Sequence, residues 1–378
     1  MQLPLEFVDY TSQLFGEELW QKYLLSFEEE TPVSIRLNGA TTTEQLSHLP
    51  FDKQVLWSEK GYYLSQRPVF TLDPLLHSGA YYVQEASSQY LDEVLREITA
   101  NLDIKLAADF CAAPGGKSLI IKDYLTASAT LISNEFVRKR AWILAENIEK
   151  SELADISLQV KATAPKIIVT NNSTGELANS GNLFDLIVCD VPCSGEGMFR
   201  KDHATITEWS TDNVLKCAAL QRKIVSDAWA CLRNGGVLVY STCTFNQYED
   251  EENVQFIVNE LGGEIIVEPR KFVPGQDFGE GQFMVAFRKN TDCTTKKARC
   301  RLNVLPKMMT ELNETLPVCD IELDDALNYL RGNAIQLPNE TPKGTVAVSY
   351  KGFLLGTAKN IGNRANNHYP KEWRIKHL

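Results

Sequence analysis

The sequence contains no apolar run long enough to cross a bilayer as a helix, so a membrane-spanning protein of that kind is not expected. Its first residues, Met1 to Glu6, lack a basic stretch followed by an apolar one, and no export signal is expected in them. No CxxC pair and no histidine cluster occurs, which removes the usual frameworks for a zinc site. The phosphate-binding pattern GxxxxGK(S/T) and the dinucleotide pattern GxGxxG are also missing. No internal repeat or low-complexity tract breaks the chain.

What remains is a globular composition. At 378 residues the chain is long enough for two or three domains, and its 44% hydrophobic and 23% charged shares are ordinary. Nine cysteines, an odd number, are scattered through expected strands and helices, which fits free thiols in the reducing cytoplasm. The net charge of −11 is unevenly distributed. Residues 286–301 carry Arg288, Lys289, Lys296, Lys297, Arg299 and Arg301 against Asp292 alone. Residues 351–378 carry Lys351, Lys359, Arg364, Lys371, Arg374 and Lys376 against Glu372 alone. From charge alone, a solvated surface and a polyanion-binding surface are equal readings.

Hydrophobic periodicity divides the chain. An N-terminal α+β subdomain over 1–78 has a helical pattern (Leu14, Leu19, Tyr23, Leu24) and a strand at Val33 to Leu37, ending near the turn Asp73-Pro74. A core over 79–290 alternates strand and helix. Strands are expected at Leu106 to Phe110, Ala129 to Ser133, Lys166 to Thr170, Phe184 to Cys189 and Val237 to Tyr240. Ser210 or Thr211 would cap a helix reaching about Leu232, Asn234-Gly235-Gly236 would end it, and another helix would cover about Glu249 to Leu261. Pieces at Ile265 to Val267 and Phe283 to Phe287 would close the set as a hairpin. Repeated β-α units imply an α/β, mostly parallel, doubly wound sheet of the Rossmann-like kind. A basic linker is expected over 291–302. A small α+β module follows over 303–378, with a helix at Asp324 to Leu330 and strands at Thr345 to Tyr350 and Phe353 to Leu355.

Ligands of an open parallel sheet bind beyond the carboxyl ends of its strands. Four polar clusters fall at such ends. In the first, Asp109 to Lys117, the small residues Cys111, Ala112 and Ala113, then Pro114, Gly115 and Gly116, allow backbone to approach a ligand closely at a helix N-terminus. Such a turn by itself is more often only a tight connection. In the second, Glu135 ends the next strand, where a carboxylate can accept both hydroxyls of a ribose. The third holds Asp190, Cys193 and Ser194, and the fourth is Ser241-Thr242-Cys243-Thr244. Two thiols ending neighbouring strands beside an aspartate suggest nucleophilic or proton-transfer chemistry. A thiolate adding to carbon 6 of a cytosine makes carbon 5 able to attack a sulfonium methyl group, provided that the base is flipped out of its stack. The residues alone leave open which cysteine attacks.

The motifs DFCAAPGGKS, DVPCSGEGMFRKD and YSTCTFNQYEDEEN, in that order, resemble those of the Sun-type RNA cytosine-C5 methyltransferases. Tyr81 to Ser88 and Gly279 to Phe283 also match, and the tail from Tyr329 to Lys371 resembles an RNA-binding module. The resemblance implies a class I methyltransferase core using S-adenosyl-L-methionine. It implies Cys243 as nucleophile, with Cys193 aiding proton removal and product release. Asp190 would hold the cytosine edge near the cofactor, and Lys117 would lie close to the reacting centre. Cys111 to Lys117 would wrap the methionine part of the cofactor, and Glu135 would bind its ribose. Where the family often places an aspartate for the adenine amino group this chain has Asn172, whose amide oxygen can still accept a hydrogen bond. The implied partner is RNA, foremost the 16S RNA of the small ribosomal subunit, with the chain acting as a cytoplasmic monomer away from membranes. The same chemistry on tRNA, or a non-catalytic role in ribosome assembly, are the alternatives.

Overall fold

Three sheets, one in each section of the chain, appear in the computed structural model, which describes residues 3–100, 102–180, 184–291, 301–309, 312 and 316–376. The first section contains α1 (Leu5–Leu25), β1 (Val33–Leu37), β2 (Phe51–Gln54), β3 (Gly61–Leu64), α2 (Pro74–His77) and β4 (Tyr81–Val83). Its sheet runs β2-β3-β1-β4 and is antiparallel throughout. Because β4 pairs with β1, this sheet extends past residue 78, where the first subdomain was expected to end.

The central section contains α3 (Leu91–Thr99), β5 (Leu106–Asp109), α4 (Gly116–Asp123), β6 (Thr130–Asn134), α5 (Arg138–Ser157), β7 (Lys166–Thr170) and α6 (Thr174–Ala178). It continues with β8 (Phe184–Asp190), α7 (His203–Glu208), α8 (Thr211–Cys231), β9 (Leu232–Thr242), α9 (Glu251–Asn259), β10 (Gly263–Phe272) and β11 (Gln282–Lys289). The sheet order is β10-β11-β9-β8-β5-β6-β7. Strands β5 to β9 are mutually parallel, and the β10–β11 hairpin joins antiparallel to β9. The chain moves outward from β5 to β7, then returns to place β8 on the other side of β5. The crevice for a ligand therefore lies between the ends of β5 and β8.

Helices cover both faces. Val188, Val237 and Val239 pack with α3 and α4 residues such as Leu95 and Ile120, whereas Ile187, Leu238 and Tyr240 pack with Ile224, Trp229 and Ile257 of α8 and α9. Burial on both sides explains the unbroken apolar run of β8, each such side chain contributing roughly 1.5–3 kcal/mol. Of the two caps offered by the sequence, Ser210 is used, its hydroxyl accepting from Asn213 N at 3.2 Å. Asn234-Gly235-Gly236 does not end α8 in a turn as expected. It lies within β9, as an irregularity between the pairs Phe184–Leu232 and Leu186–Val237, with Gly235 at φ +74°.

The third section contains β12 (Val318–Asp320), α10 (Leu323–Leu330), β13 (Gly344–Tyr350), β14 (Phe353–Asn360) and β15 (Ala365–Asn367), in the sheet β12-β13-β14-β15. It docks on the core. Leu354 N donates to the Ser157 hydroxyl at 2.8 Å, and Met308 N and Met309 N each donate to the Glu149 carboxylate at 2.9 Å. Most of the expected basic linker, including Lys296, Lys297 and Arg299, lies outside the described residues. Two cations of the basic stretch 286–301, Arg288 and Lys289, belong to β11, and the Lys289 ammonium is buried, donating to Trp229 O and Leu232 O. It is unavailable to a phosphate. Residues 303–305 pair along the free edge of β7, with Asn171 N donating to Asn303 O and Leu305 N to Val169 O, both at 2.9 Å.

Candidate active site

Strands β8 and β9 are in parallel register, with Asp190 opposite Ser241. Each chain then leaves the sheet at the same edge, and the sulfurs of Cys193 and Cys243 meet at 2.9 Å. Both cysteines are partly exposed. Cys243 N donates to the Cys193 sulfur at 3.4 Å. The hydrogen bond with Cys243 and the burial of the sulfur push the Cys193 thiol well above the usual range. Either sulfur can donate in this contact.

Asp190 sits beside the pair. One oxygen accepts from the Ser241 hydroxyl at 2.7 Å and the other pairs with the Lys117 ammonium at 2.9 Å. Lys117 is buried and also donates to the Ser88 hydroxyl at 3.0 Å. Ser88 belongs to the Tyr81 to Ser88 motif, whose Glu85 accepts from Ser88 N and from Glu280 N. Gly281, in the same motif as Glu280, donates its N–H to Gly197 O at 3.4 Å, and Gly197 N donates to Cys243 O at 2.9 Å. A side chain at Gly197 would collide with Gly281 and with the Cys243 carbonyl. Five motifs distant in sequence therefore converge on the two thiols. Ser241 lay in the fourth polar cluster and Glu85 and Ser88 in the Tyr81 to Ser88 motif, but none was given a role from sequence, because a polar residue shows its role only once a lysine, an aspartate or a backbone N–H is placed against it.

On the other side of Asp190, the turn from Phe110 to Gly116 is fastened by three bonds. Ala112 N donates to Asn134 O, Arg140 to Ala113 O and Asn147 to Pro114 O, at 2.8–2.9 Å. Gly115 starts α4 at φ +119°, a conformation that a side chain would strain. Cys111 lies in this turn, its thiol raised by burial. Asp109 beneath it is fully buried. One oxygen accepts from the Ser118 hydroxyl at 2.8 Å and the other has no partner, and burial raises its pKa to about 7.

Glu135 follows the last residue of β6. Its Oε1 accepts from Val137 N at 2.8 Å, whereas Oε2 is buried without a hydrogen bond, with only the Arg140 guanidinium nearby at 3.4 Å. A free carboxylate oxygen here suits a ribose hydroxyl. Phe136 beside it is 69% exposed, an aromatic face next to that acceptor. It too was missed from sequence, although a large apolar residue directly after a strand-end acid is a usable signal. Asn172, past the end of β7, is buried, and its amide oxygen accepts from Asn303 N at 2.9 Å. One of its two lone pairs is therefore already used. The glycine cradle, the Glu135 oxygen that accepts no hydrogen bond and the exposed Phe136 together fit a nucleoside carrying an amino-acid tail. Among the described residues, no group of three or more His, Cys, Asp or Glu could hold a metal ion, and no helix is long and apolar enough to cross a membrane.

Residues 100–294 match the family model for 16S rRNA methyltransferase RsmB/F. Residues 3–86 match that for the N-terminal domain of 16S rRNA methyltransferase RsmF, and residues 317–375 that for the methyltransferase RsmF PUA domain. Ribosomal RNA small subunit methyltransferase F of Aliivibrio fischeri is 25% identical, with 90% of each chain covered. The protein of that name from Photobacterium profundum is 24% identical, with 98% of this chain and 97% of the other covered. Among solved structures, a methyltransferase homolog protein from Pyrococcus horikoshii is 23% identical with a TM-score of 0.59, covering 76% of this chain and all of the other. NSun6 from Pyrococcus horikoshii with SFG is 20% identical with a TM-score of 0.62, covering 76% of this chain and 99% of the other. These two likenesses establish the class I methyltransferase fold.

Proposed function

The chain belongs to the 16S rRNA methyltransferase RsmB/F family, and from that premise we propose that it methylates carbon 5 of a cytosine in 16S rRNA through a covalent bond to Cys243. S-adenosylmethionine is the methyl donor, and when bound it supplies an electrophilic methyl group on a positively charged sulfur. The turn Cys111 to Lys117 would hold its amino-acid tail, the free oxygen of Glu135 its ribose, and Phe136 with Asn172 the adenine.

The chain's own residues then do the following. Asp190, locked by Ser241 and Lys117, presents its carboxylate to the edge of the flipped cytosine. Cys243, as the thiolate, adds to carbon 6, so that carbon 5 becomes enamine-like and takes the methyl group. Cys193, adjacent to it, assists loss of the carbon 5 proton. The carbon–sulfur bond then breaks and the ring double bond returns. The observation that carries this reading is the 2.9 Å approach of the two sulfurs beside the Asp190–Lys117 pair.

RNA binding is assigned to the C-terminal module, which matches a PUA model and exposes Lys351, Lys359, Arg364 and Lys371. One chain supplies both thiols, the cofactor turn and this module, so a monomer suffices, working in the cytoplasm where ribosomal RNA is modified. The test is to map 5-methylcytosine in RNA from cells lacking the protein. Loss at one 16S rRNA position is expected. Loss at a tRNA site with 16S rRNA unchanged would contradict the substrate, and no loss anywhere would contradict the activity and favour a role in assembly.

A further inference from the structure

Cys193 and Cys243 sit on two loops, and each loop carries a buried glutamate that grips the other. Glu196, three residues after Cys193, is 1% exposed. Its Oε2 accepts from the Thr244 hydroxyl at 2.6 Å, Phe245 N at 2.9 Å and Asn246 N at 3.0 Å, the three residues that follow Cys243. Its Oε1 accepts from Trp209 Nε1 at 2.9 Å and Asn246 Nδ2 at 3.1 Å. Glu249, six residues after Cys243, is fully buried and accepts from Ser194 N at 3.0 Å, the residue that follows Cys193. It also accepts from Gln221 Nε2 at 2.6 Å, and that same amide donates to Pro192 O at 2.9 Å on the other side of Cys193. Asn246 Nδ2 bridges the two acids, lying 2.8 Å from Glu249 Oε1, and the hydroxyls of Ser194 and Thr244 meet at 3.1 Å.

Two carboxylates this deep are costly unless every lone pair is used. Here they are used, on three backbone N–H groups next to the reacting sulfurs and on four side-chain donors. Packing alone would have been satisfied by apolar side chains, which impose no direction. Directed hydrogen bonds to N–H groups fix where a loop sits, to within the tolerance of the bond. The pattern is also crossed: neither glutamate holds its own cysteine, and each holds the opposite one.

We propose that Glu196 and Glu249 are positioning residues that form a reciprocal clamp, Glu196 setting the Cys243 loop for attack on the base and Glu249 setting the Cys193 loop for release of the product. The inference rests on the two-thiol chemistry proposed above. It gives the two acids separable consequences. Disturbing the Cys243 loop slows formation of the covalent intermediate, whereas disturbing the Cys193 loop lets the intermediate form and delays its breakdown. A purely structural role would lower both steps together.

The experiment uses the full chain with small ribosomal subunits from a strain lacking it. Single-turnover transfer of a labelled methyl group is measured beside the fraction of protein left on RNA as a detergent-stable, nuclease-sensitive adduct. In Glu196→Gln and Glu249→Gln the amide keeps the volume but turns an N–H toward existing donors. For Glu196→Gln we expect transfer slowed by roughly 10²-fold, the scale of a 1 Å misplacement, with no build-up of adduct. For Glu249→Gln we expect adduct to accumulate, as it would on loss of Cys193 itself. Cofactor affinity should match wild type in both. The milder Thr244→Val removes one donor to Glu196 without burying a charge and should slow transfer several-fold, whereas Thr244→Ser should restore it. Wild-type transfer in Thr244→Val, or parallel losses in the two glutamate variants without a change in adduct, would overturn the clamp alone. A wild-type chain that transfers no methyl group to cytosine would overturn the chemistry and the clamp together.

Discussion

The backbone N–H of Asn303 donates to the amide oxygen of Asn172 at 2.9 Å, across 131 residues of chain. The segment leading to the C-terminal module is thereby joined to the strand end to which the adenine of the cofactor is assigned in the proposal above. A carboxylate has more acceptor capacity than an amide oxygen, enough to keep Asn303 and take a second donor. Asn172→Asp is therefore expected to bind S-adenosylmethionine at least as tightly as wild type, and Asn172→Ala more weakly. Titration calorimetry would check both, and tighter binding by the alanine variant would remove Asn172 from the site.

The Oε2 of Glu135, which accepts no hydrogen bond, gives a second expectation. Glu135→Ala should weaken S-adenosylmethionine binding by roughly 10- to 100-fold, the range for a hydrogen bond to a charged acceptor. Turnover at saturating cofactor should change far less, because the residue is remote from the thiols. Equal KM for the cofactor in the two proteins would place the ribose elsewhere.

Asp109 yields a pH dependence. Burial raises its pKa from 3.8 to about 7 in the folded chain. A raised folded value means that the stability due to this group is complete below pH 3.8 and is lost as pH rises to about 7. Asp109→Asn cannot ionise and escapes that loss. Its stability relative to wild type should grow across this window, by roughly 1.4 kcal/mol per unit at most. Urea melts of the cofactor-free proteins at mildly acidic and neutral pH would reveal it, and a constant difference would show that Asp109 titrates normally.

The basic tail cannot be tested by removing residues 351–378, because that stretch contains β14, β15 and the buried Tyr369 and Trp373. Point changes at exposed cations leave the module intact. For Lys359→Glu with Arg364→Glu, RNA affinity should fall and its dependence on salt should flatten, by about one unit of log slope for each phosphate that is no longer neutralised. Filter binding over a salt series measures this, and an unchanged slope would show that neither side chain meets a phosphate.

Much of the core was legible from sequence because its signals are local. Strands β5 to β8 are apolar runs bounded by turns, and the residues that end them are the acids and thiols that a parallel sheet gathers at one edge. Short strands were not legible. Three-residue elements such as β4, β12 and β15 exist through their pairing partners rather than their own propensity. Asn234-Gly235-Gly236 was read as a helix stop because its turn chemistry is real, but register with β8 absorbs it as an irregularity inside β9. Lys289 reads as a surface cation in sequence, yet two carbonyls surround its buried ammonium. The crossed grip of Glu196 and Glu249 also lay beyond the sequence, since a glutamate in a polar loop gives no sign of burial.

The roles of the two cysteines are tested most directly by assaying methyl transfer and covalent retention on small ribosomal subunits with single substitutions. Cys243→Ala is expected to abolish both transfer and adduct, whereas Cys193→Ala should leave protein covalently held on RNA. Full activity in Cys243→Ala, or an adduct that forms without Cys243, would contradict the account.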